Sequence, residues 1–450
     1  MKTLVVGGGG REHCIVDALR ASDARVLAVM GNENPGIRRA AEESEVHDVT
    51  DVAWIVDWAR SRRADLAVIG PEAPLAAGLA DALEAAGIPT VGPTRNAARI
   101  ETDKEFARDL VRDHKIPGLV DYWAFDDLRA FESWLKECEI ELVVKPLGLT
   151  GGKGVRVMGD HLAGYREVLA YGREILQKRI GGAPRFLVEE KVVGEEFSLQ
   201  CLTDGKTVVP TPLAQDHKRA LEGDRGPNTG GMGSYSDADH LLPFLTAKDR
   251  DQAVSICRRV VDALRRRGTP FRGCLYGGFV ATADGVRVLE FNARFADPEC
   301  MNVLPLLAGD FADTCTRIAE GSLRANVRFR REASVCKYVV PIGYGTKPVP
   351  GEALAVDEAA IAATGARLYY ASVNERAGQV VTTTSRALAV VGIDRSLSGA
   401  EAQAEEALRS VKGSAYVRHD IGTAAAIRRK VARMKAIRGR RRPPRGAPRR

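Results

Sequence analysis

Apolar positions along the chain keep changing period, and the changes outline its elements. Residues 2–6 form a short apolar strand that runs into Gly7-Gly8-Gly9-Gly10, after which Ile15, Val16, Ala18 and Leu19 return at helical spacing. Strands at 26–30 and 66–69 follow, then a helix from about 77 to 86 stopped by Gly87, then a short strand and break at 89–93. Strands alternating with helices over some ninety residues predict an α/β domain with a doubly wound parallel sheet at 1–100. Ligands of such sheets lie beyond the carboxyl ends of the strands, where the glycine loop and Gly70–Leu75 both fall.

A second region, 101–330, opens with a helix at Asp103–Leu110 and has another around 128–137. Apolar runs at 143–146 and 155–157 flank a glycine-rich loop, 185–193 reads as a strand leading into acidic residues, and 286–294 alternates as a strand. A third region, 331–427, carries short strands at 335–341, 351–353, 366–370 and 387–391 and a helix at 400–411. It reads as an α+β cap without a catalytic motif of its own.

Length and charge narrow the picture. At 450 residues the chain exceeds one ordinary core. It has no apolar run of membrane-spanning length and its start is not that of a signal peptide, so a cytoplasmic location and no membrane partner are expected. The eight scattered cysteines show no zinc spacing and are expected to be reduced. Twelve Arg and Lys, with no acid among them, lie from Arg428 to Arg450, leaving the preceding residues at a net charge of −5 against +7 for the whole. The tail, 428–450, is expected to be disordered, and the acidic body argues against nucleic acid as a partner except non-specifically through it.

Five stretches carry chemistry. In Lys145-Pro146-Leu147-Gly148-Leu149-Thr150-Gly151-Gly152-Lys153-Gly154, glycines beside two lysines suit backbone approach to phosphate oxygens. The spacing is one residue short of a Walker A loop and Gly154 replaces its Ser or Thr, and a glycine-rich hairpin with solvated lysines is the alternative. Gly7–His13 suits a phosphate monoester at a helix N-terminus, with Arg11 adding charge, or a tight turn that only packs helix on sheet. The acidic cluster at Glu189, Glu190, Glu195 and Glu196, at the end of an apolar strand, suits ribose hydroxyls, with an exposed loop the alternative for Glu189 and Glu195 taken singly. On 286–294, period two sets Val288, Glu290, Asn292 and Arg294 on one face. The acid and carboxamide suit a hard divalent cation, and an exposed edge is the alternative. Between them, Gln215-Asp216-His217-Lys218-Arg219 and Gly226–Tyr235 make a loop fit for a small ligand.

These motifs, with Gly70-Pro71-Glu72-Ala73-Pro74-Leu75 and Glu290–Glu299, occur in an order that closely resembles the glycinamide ribonucleotide synthetase family, ATP-grasp ligases of purine synthesis. The likeness spans Met1 to about Gly422. Departures are the lysine loop, Ala296 in place of the usual glycine, and the arginine tail. The resemblance implies ligation of glycine to 5-phosphoribosylamine with ATP, through a glycyl phosphate. It implies Lys145, Lys153, Gly151, Gly152, Gly154 and Lys104 at the ATP phosphates, Glu189, Glu190 and Glu196 elsewhere on the nucleotide, and Glu290 and Asn292 on Mg2+ or Mn2+. Arg294 would steady the glycine carboxylate, and Asp216, His217 and Lys218 would border the amine. Gly9, Gly10, Arg11, Glu12, Pro71, Glu72, Asn228, Thr229, Gly230, Gly231, Asp297 and Pro298 would hold the substrates. A lid at about 118–188 and a monomer or weak homodimer are expected. A different ATP-grasp ligase with another acceptor, and a nucleic-acid factor acting through the tail, are the rival readings.

Overall fold

The structure, a computed structural model, describes residues 1–148 and 154–439. Its N-terminal sheet is parallel throughout, in the order Glu43–Val46, Arg25–Met30, Lys2–Val6, Leu66–Ile69, Thr90–Val91. Chain order reverses between the first strand and Leu66–Ile69, so Gly7–Gly10 and Gly70-Pro71 share the crevice at the switch point. The expected helix at 77–86 instead starts at Glu72 and breaks at Gly78, where φ of +91° calls for a residue without a Cβ, giving Glu72–Ala77 and Leu79–Ala85.

A four-stranded sheet in the order Tyr122–Phe125, Phe186–Glu190, Leu142–Pro146, Arg156–Val157 packs on the helices Leu128–Lys136 and Tyr165–Lys178. Phe131, Val144, Tyr171, Ile175 and Phe186 make its core, which is separate from the main one. This unit carries Lys145. The central sheet is antiparallel, in the order Val208–Pro210, Glu195–Asp204, Arg272–Thr282, Gly285–Asn292.

The C-terminal sheet borrows strands from the middle of the chain. Gln215–Asp216 pairs with Gly233–Ser236, which pairs with Ala333–Pro341, and that strand pairs with Leu388–Asp394. The 215–236 segment, counted from sequence within the second region, is thus hydrogen-bonded into the third.

The basic tail also departs from expectation. Residues 424–439 form the helix Ala424–Gly439, so the disorder expected from 428 onward does not hold over 428–439. Met434 is buried in the main core, and three of the helix cations are matched to acids: Lys430 to Asp224 at 2.7 Å, Arg433 to Glu195 at 3.1 Å, Arg438 to Asp249 at 2.6 Å. Residues 440–450 lie outside the described residues. All eight cysteines are free thiols, and among the described residues no helix is long and apolar enough to cross a membrane.

Candidate active site

The metal-type face is built by the central sheet, with a β-bulge that the period-two reading missed. Glu290 pairs with Gly278 but Val288 pairs with Phe279, leaving Leu289 as the extra residue. The bulge turns the strand over: Val288 points into the core, opposite to Glu290 and Asn292, where alternation had put all three together. Cross-strand rows then set Asn292, Tyr276 and Gln200 side by side, and next to them Glu290, Gly278 and Ser198. Gly278 lacks a side chain, and a Cβ there would meet Glu290 Cγ at 3.2 Å.

Glu290 is half exposed on this face, and Asn292 spends its amide N–H on the Phe291 carbonyl at 3.0 Å, which leaves its oxygen to offer a cation. Among the described residues no group of three or more His, Cys, Asp or Glu forms a metal cage. A carboxylate and a carboxamide suit a hard cation completed by phosphate oxygens and water.

The bulge also supplies a carbonyl. Leu289 O accepts Lys145 Nζ at 3.3 Å and Arg108 Nη2 at 2.6 Å, so the lysine of the smaller sheet reaches the residue next to Glu290. Lys145 Nζ lies 2.6 Å from Glu189 Oε2, and Arg108 Nε donates to Glu189 Oε1 at 2.8 Å. Burial opposes ionisation of Glu189, yet Arg108 and Lys145 draw it down to about 2. Glu189 therefore orients Lys145 from a buried position, and the expectation that it meets ribose is corrected. Lys104 Nζ donates to the carbonyls of Pro146 and Gly148 at 3.1 and 2.6 Å, gripping the near end of the lysine loop. Gly151, Gly152 and Lys153 lie outside the described residues. Gly154 O accepts from Tyr171, and Glu190 ends the strand Phe186–Glu190.

Lys218 ties this face to the loops at 215–219 and 226–235. Its Nζ stands 3.4 Å from both Glu196 and Glu290. Burial disfavours the ammonium, but Glu290 and then Glu196 hold it well above the ordinary lysine range, and Lys218 in turn holds Glu290 down. Asp216 lies on the same side. Burial, reinforced by Glu299, pushes its carboxyl well up, and its Oδ1 has no hydrogen-bond partner among the described residues.

His217 points the other way. It is buried against Tyr235, with Asp224, Lys430 and Arg418 as its charged surroundings. Desolvation, with Lys430 next, pushes it down to about 3. Alternation around 216–218 separates it from Lys218, so the structure does not bring His217 to the amine side.

The remaining motifs converge beside Asp216. A Cβ on Gly231, at φ of +107°, would lie 2.6 Å from Asp216 Oδ1 and 2.7 Å from Pro298. Thr229 Oγ1 donates to the Lys218 carbonyl, and Asn228 pairs with Arg219. Asp297 accepts from Tyr338 Oη at 2.7 Å and lies 3.1 Å from Arg386, which also donates to Gly230 O at 2.6 Å. Gly9 approaches Asp297, and Gly10 leaves room for Tyr338. Arg386 and Tyr338 belong to the region read as a cap without chemistry. A lone cation ahead of an apolar strand, with no glycine cluster nearby, gave no sequence signal.

Two expected phosphate and substrate residues are committed internally. Glu12 Oε2 accepts Gly9 N–H at 2.7 Å, and Glu12 Oε1 accepts Arg11 Nε at 2.6 Å. Arg11 also donates to Phe295 O and is buried, so the expectation that its charge faces a phosphate is corrected: it braces the glycine loop against the central domain. Arg294 is matched to Glu101 at 2.9 Å and to Glu72 at 3.4 Å. Pro71 sits at the N-cap position of the helix that begins at Glu72.

The patterns of the phosphoribosylglycinamide synthetase N domain, ATP-grasp (A) domain and C domain match residues 1–101, 102–300 and 334–424. A phosphoribosylamine–glycine ligase of Methanothermobacter thermautotrophicus is 50% identical over 438 residues, covering 97% of this chain and all of the relative. One from Methanopyrus kandleri is 48% identical, covering 98% and 100%. Among solved structures, the phosphoribosylamine–glycine ligase of Thermotoga maritima superposes with a TM-score of 0.80 at 23% identity over 93% of this chain and all of that one. The biotin carboxylase domain of Hydrogenobacter thermophilus 2-oxoglutarate carboxylase, solved with MgADP and bicarbonate, gives 0.72 at 18% identity over 96% and 93%. With its N, ATP-grasp and C domains in this order and half of its residues shared with a full-length relative, the chain belongs to the phosphoribosylglycinamide synthetase family of ATP-grasp ligases.

Proposed function

We propose that this ligase joins glycine to 5-phosphoribosylamine at the expense of ATP, through a glycyl phosphate, giving N1-(5-phosphoribosyl)glycinamide, ADP and phosphate. The observation that carries the reading is the gathering on one face of Lys145, bonded to the carbonyl of Leu289 beside Glu290, of Lys218 3.4 Å from Glu290, of Asp216 packed on the Gly231 turn that also meets Pro298, and of the Asp297–Arg386 pair. It gives phosphate-binding, cation-binding and substrate-binding groups one common floor.

A carboxylate is a poor electrophile, so the glycine carboxylate first takes the γ-phosphoryl group, and the ribosylamine nitrogen then attacks the acyl carbon and expels phosphate. Such transfers need alignment and charge neutralisation rather than a covalent residue. Lys145, with Lys153 of the same loop, draws the phosphates from the smaller sheet. Glu290 and Asn292 would hold Mg2+ or Mn2+, which neutralises phosphate charge when bound. Glu190 and Glu196 belong to the nucleotide side. Lys218 lies between nucleotide and acceptor, and Asp216 borders the amine. Gly9, Gly10, Gly230, Gly231, Asp297 and Pro298 enclose the ribosylamine, while Arg294 steadies the glycine end. The unit at about 118–188 acts as a lid that keeps water from the acyl phosphate. The chain works as a monomer or weak homodimer in the cytoplasm.

ADP release should require glycine and phosphoribosylamine together and should not occur with bicarbonate as sole acceptor. Release with bicarbonate and none with glycine would replace this reading by a carboxylase-type one.

A further inference from the structure

Glu196 and Glu290 stand on strands that do not touch. Glu195–Asp204 and Gly285–Asn292 are separated by Arg272–Thr282, and the residue facing Glu290 on that middle strand is Gly278. Above this gap the Lys218 ammonium lies 3.4 Å from each carboxylate, at the long edge of hydrogen bonding, with all three side chains partly open to solvent. Two residues earlier and on the same side, Asp216 keeps a carboxylate oxygen without a partner among the described residues. Lys218 therefore has a loose hold on the cation-type ligand Glu290, keeps Glu196 as its other anionic partner, and has the unpartnered Asp216 oxygen as a polar neighbour two residues away.

We infer that Lys218 is a resident stand-in for the divalent cation, keeping Glu196 and Glu290 together in the nucleotide-free enzyme and giving up Glu290 when the cation arrives. This rests on the reading that Glu290 and Asn292 hold the metal. Lys218 is then a positioning residue that competes with the metal, and the metal's apparent affinity is lowered by the fraction of molecules in which Glu290 is taken.

The test is Mn2+ alone, titrated into the full chain without nucleotide and followed by the electron paramagnetic resonance of free Mn2+. K218Q, and the similarly shaped K218M, should bind Mn2+ about tenfold more tightly than the wild type, because the competitor is gone. K218R, which keeps the charge, should bind as the wild type does. Equal or weaker binding in both neutral variants, with E290Q still abolishing it, would overturn the stand-in and leave the metal assignment intact. Undiminished binding in E290Q would overturn both.

Discussion

The Lys145 ammonium lies 2.6 Å from Glu189 Oε2, and Arg108 closes on the other oxygen of the same buried carboxylate. The lysine proposed to bind phosphate is thus aimed by an acid on the neighbouring strand. Replacing Glu189 by Gln leaves Arg108 buried without its counter-charge, so thermal unfolding should show a loss of roughly 3–5 kcal/mol. The KM for ATP should rise as Lys145 loses its orientation. The folded carboxyl titrates at about 2, below its ordinary value, so its stabilisation is complete above about pH 4.5 and is lost as pH falls from there towards 2. Denaturant melts of the Gln variant should therefore depend less on pH in that window.

Arg386 ties Asp297 to the Gly230–Gly231 turn from the C-terminal domain. Arg386→Ala should lower kcat/KM for phosphoribosylamine by roughly 10²-fold through misplacement of that loop, with little change in the KM for ATP. Steady-state kinetics with each substrate varied in turn will separate the two.

His217 is kept neutral by its surroundings, with its folded value near 3. An unfolded histidine takes up a proton below about pH 6.5, which the folded one refuses. Its contribution to stability is complete above that pH and is lost as pH falls towards 3. His217→Gln should flatten urea stability across this window and leave the pH profile of kcat near neutrality unchanged. A lost acidic limb in that profile would restore His217 as a general base.

The helix Ala424–Gly439 anchors through Met434, which is 1% exposed. Met434→Ala should cost about 2–5 kcal/mol in thermal unfolding, as buried methionine truncations do. A melting temperature equal to the wild type would mean that the helix does not dock in solution.

The alternation of strands and helices in the first hundred residues was readable because each short apolar run is a fully buried parallel strand, and the glycine loop falls where that topology puts a ligand. Glu290 and Asn292 were readable as a pair, but Val288 was misplaced, because the bulge at Leu289 depends on pairing with a strand the local pattern does not contain. The strand Glu43–Val46 went unmarked since it lies on the sheet edge, with no residue fully buried to give a hydrophobic signal. Arg11 and Glu189 looked like ligands by composition. Only the fold shows them spent, since their partners Phe295 and Arg108 are 284 and 81 residues away. The tail misled for a related reason: Lys430, Arg433 and Arg438 read as solvated until Asp224, Glu195 and Asp249 are brought opposite them.

The central claim is that Lys145 and the Glu290–Asn292 pair grip one triphosphate from two sheets. A crystal structure with a non-hydrolysable ATP analogue and Mn2+, with data collected at the manganese edge, tests it directly. The account predicts an anomalous peak in direct contact with Glu290 and Asn292, bridged by phosphate oxygens to Lys145. A nucleotide bound with its phosphates away from Glu290, or manganese held by other residues, would contradict it.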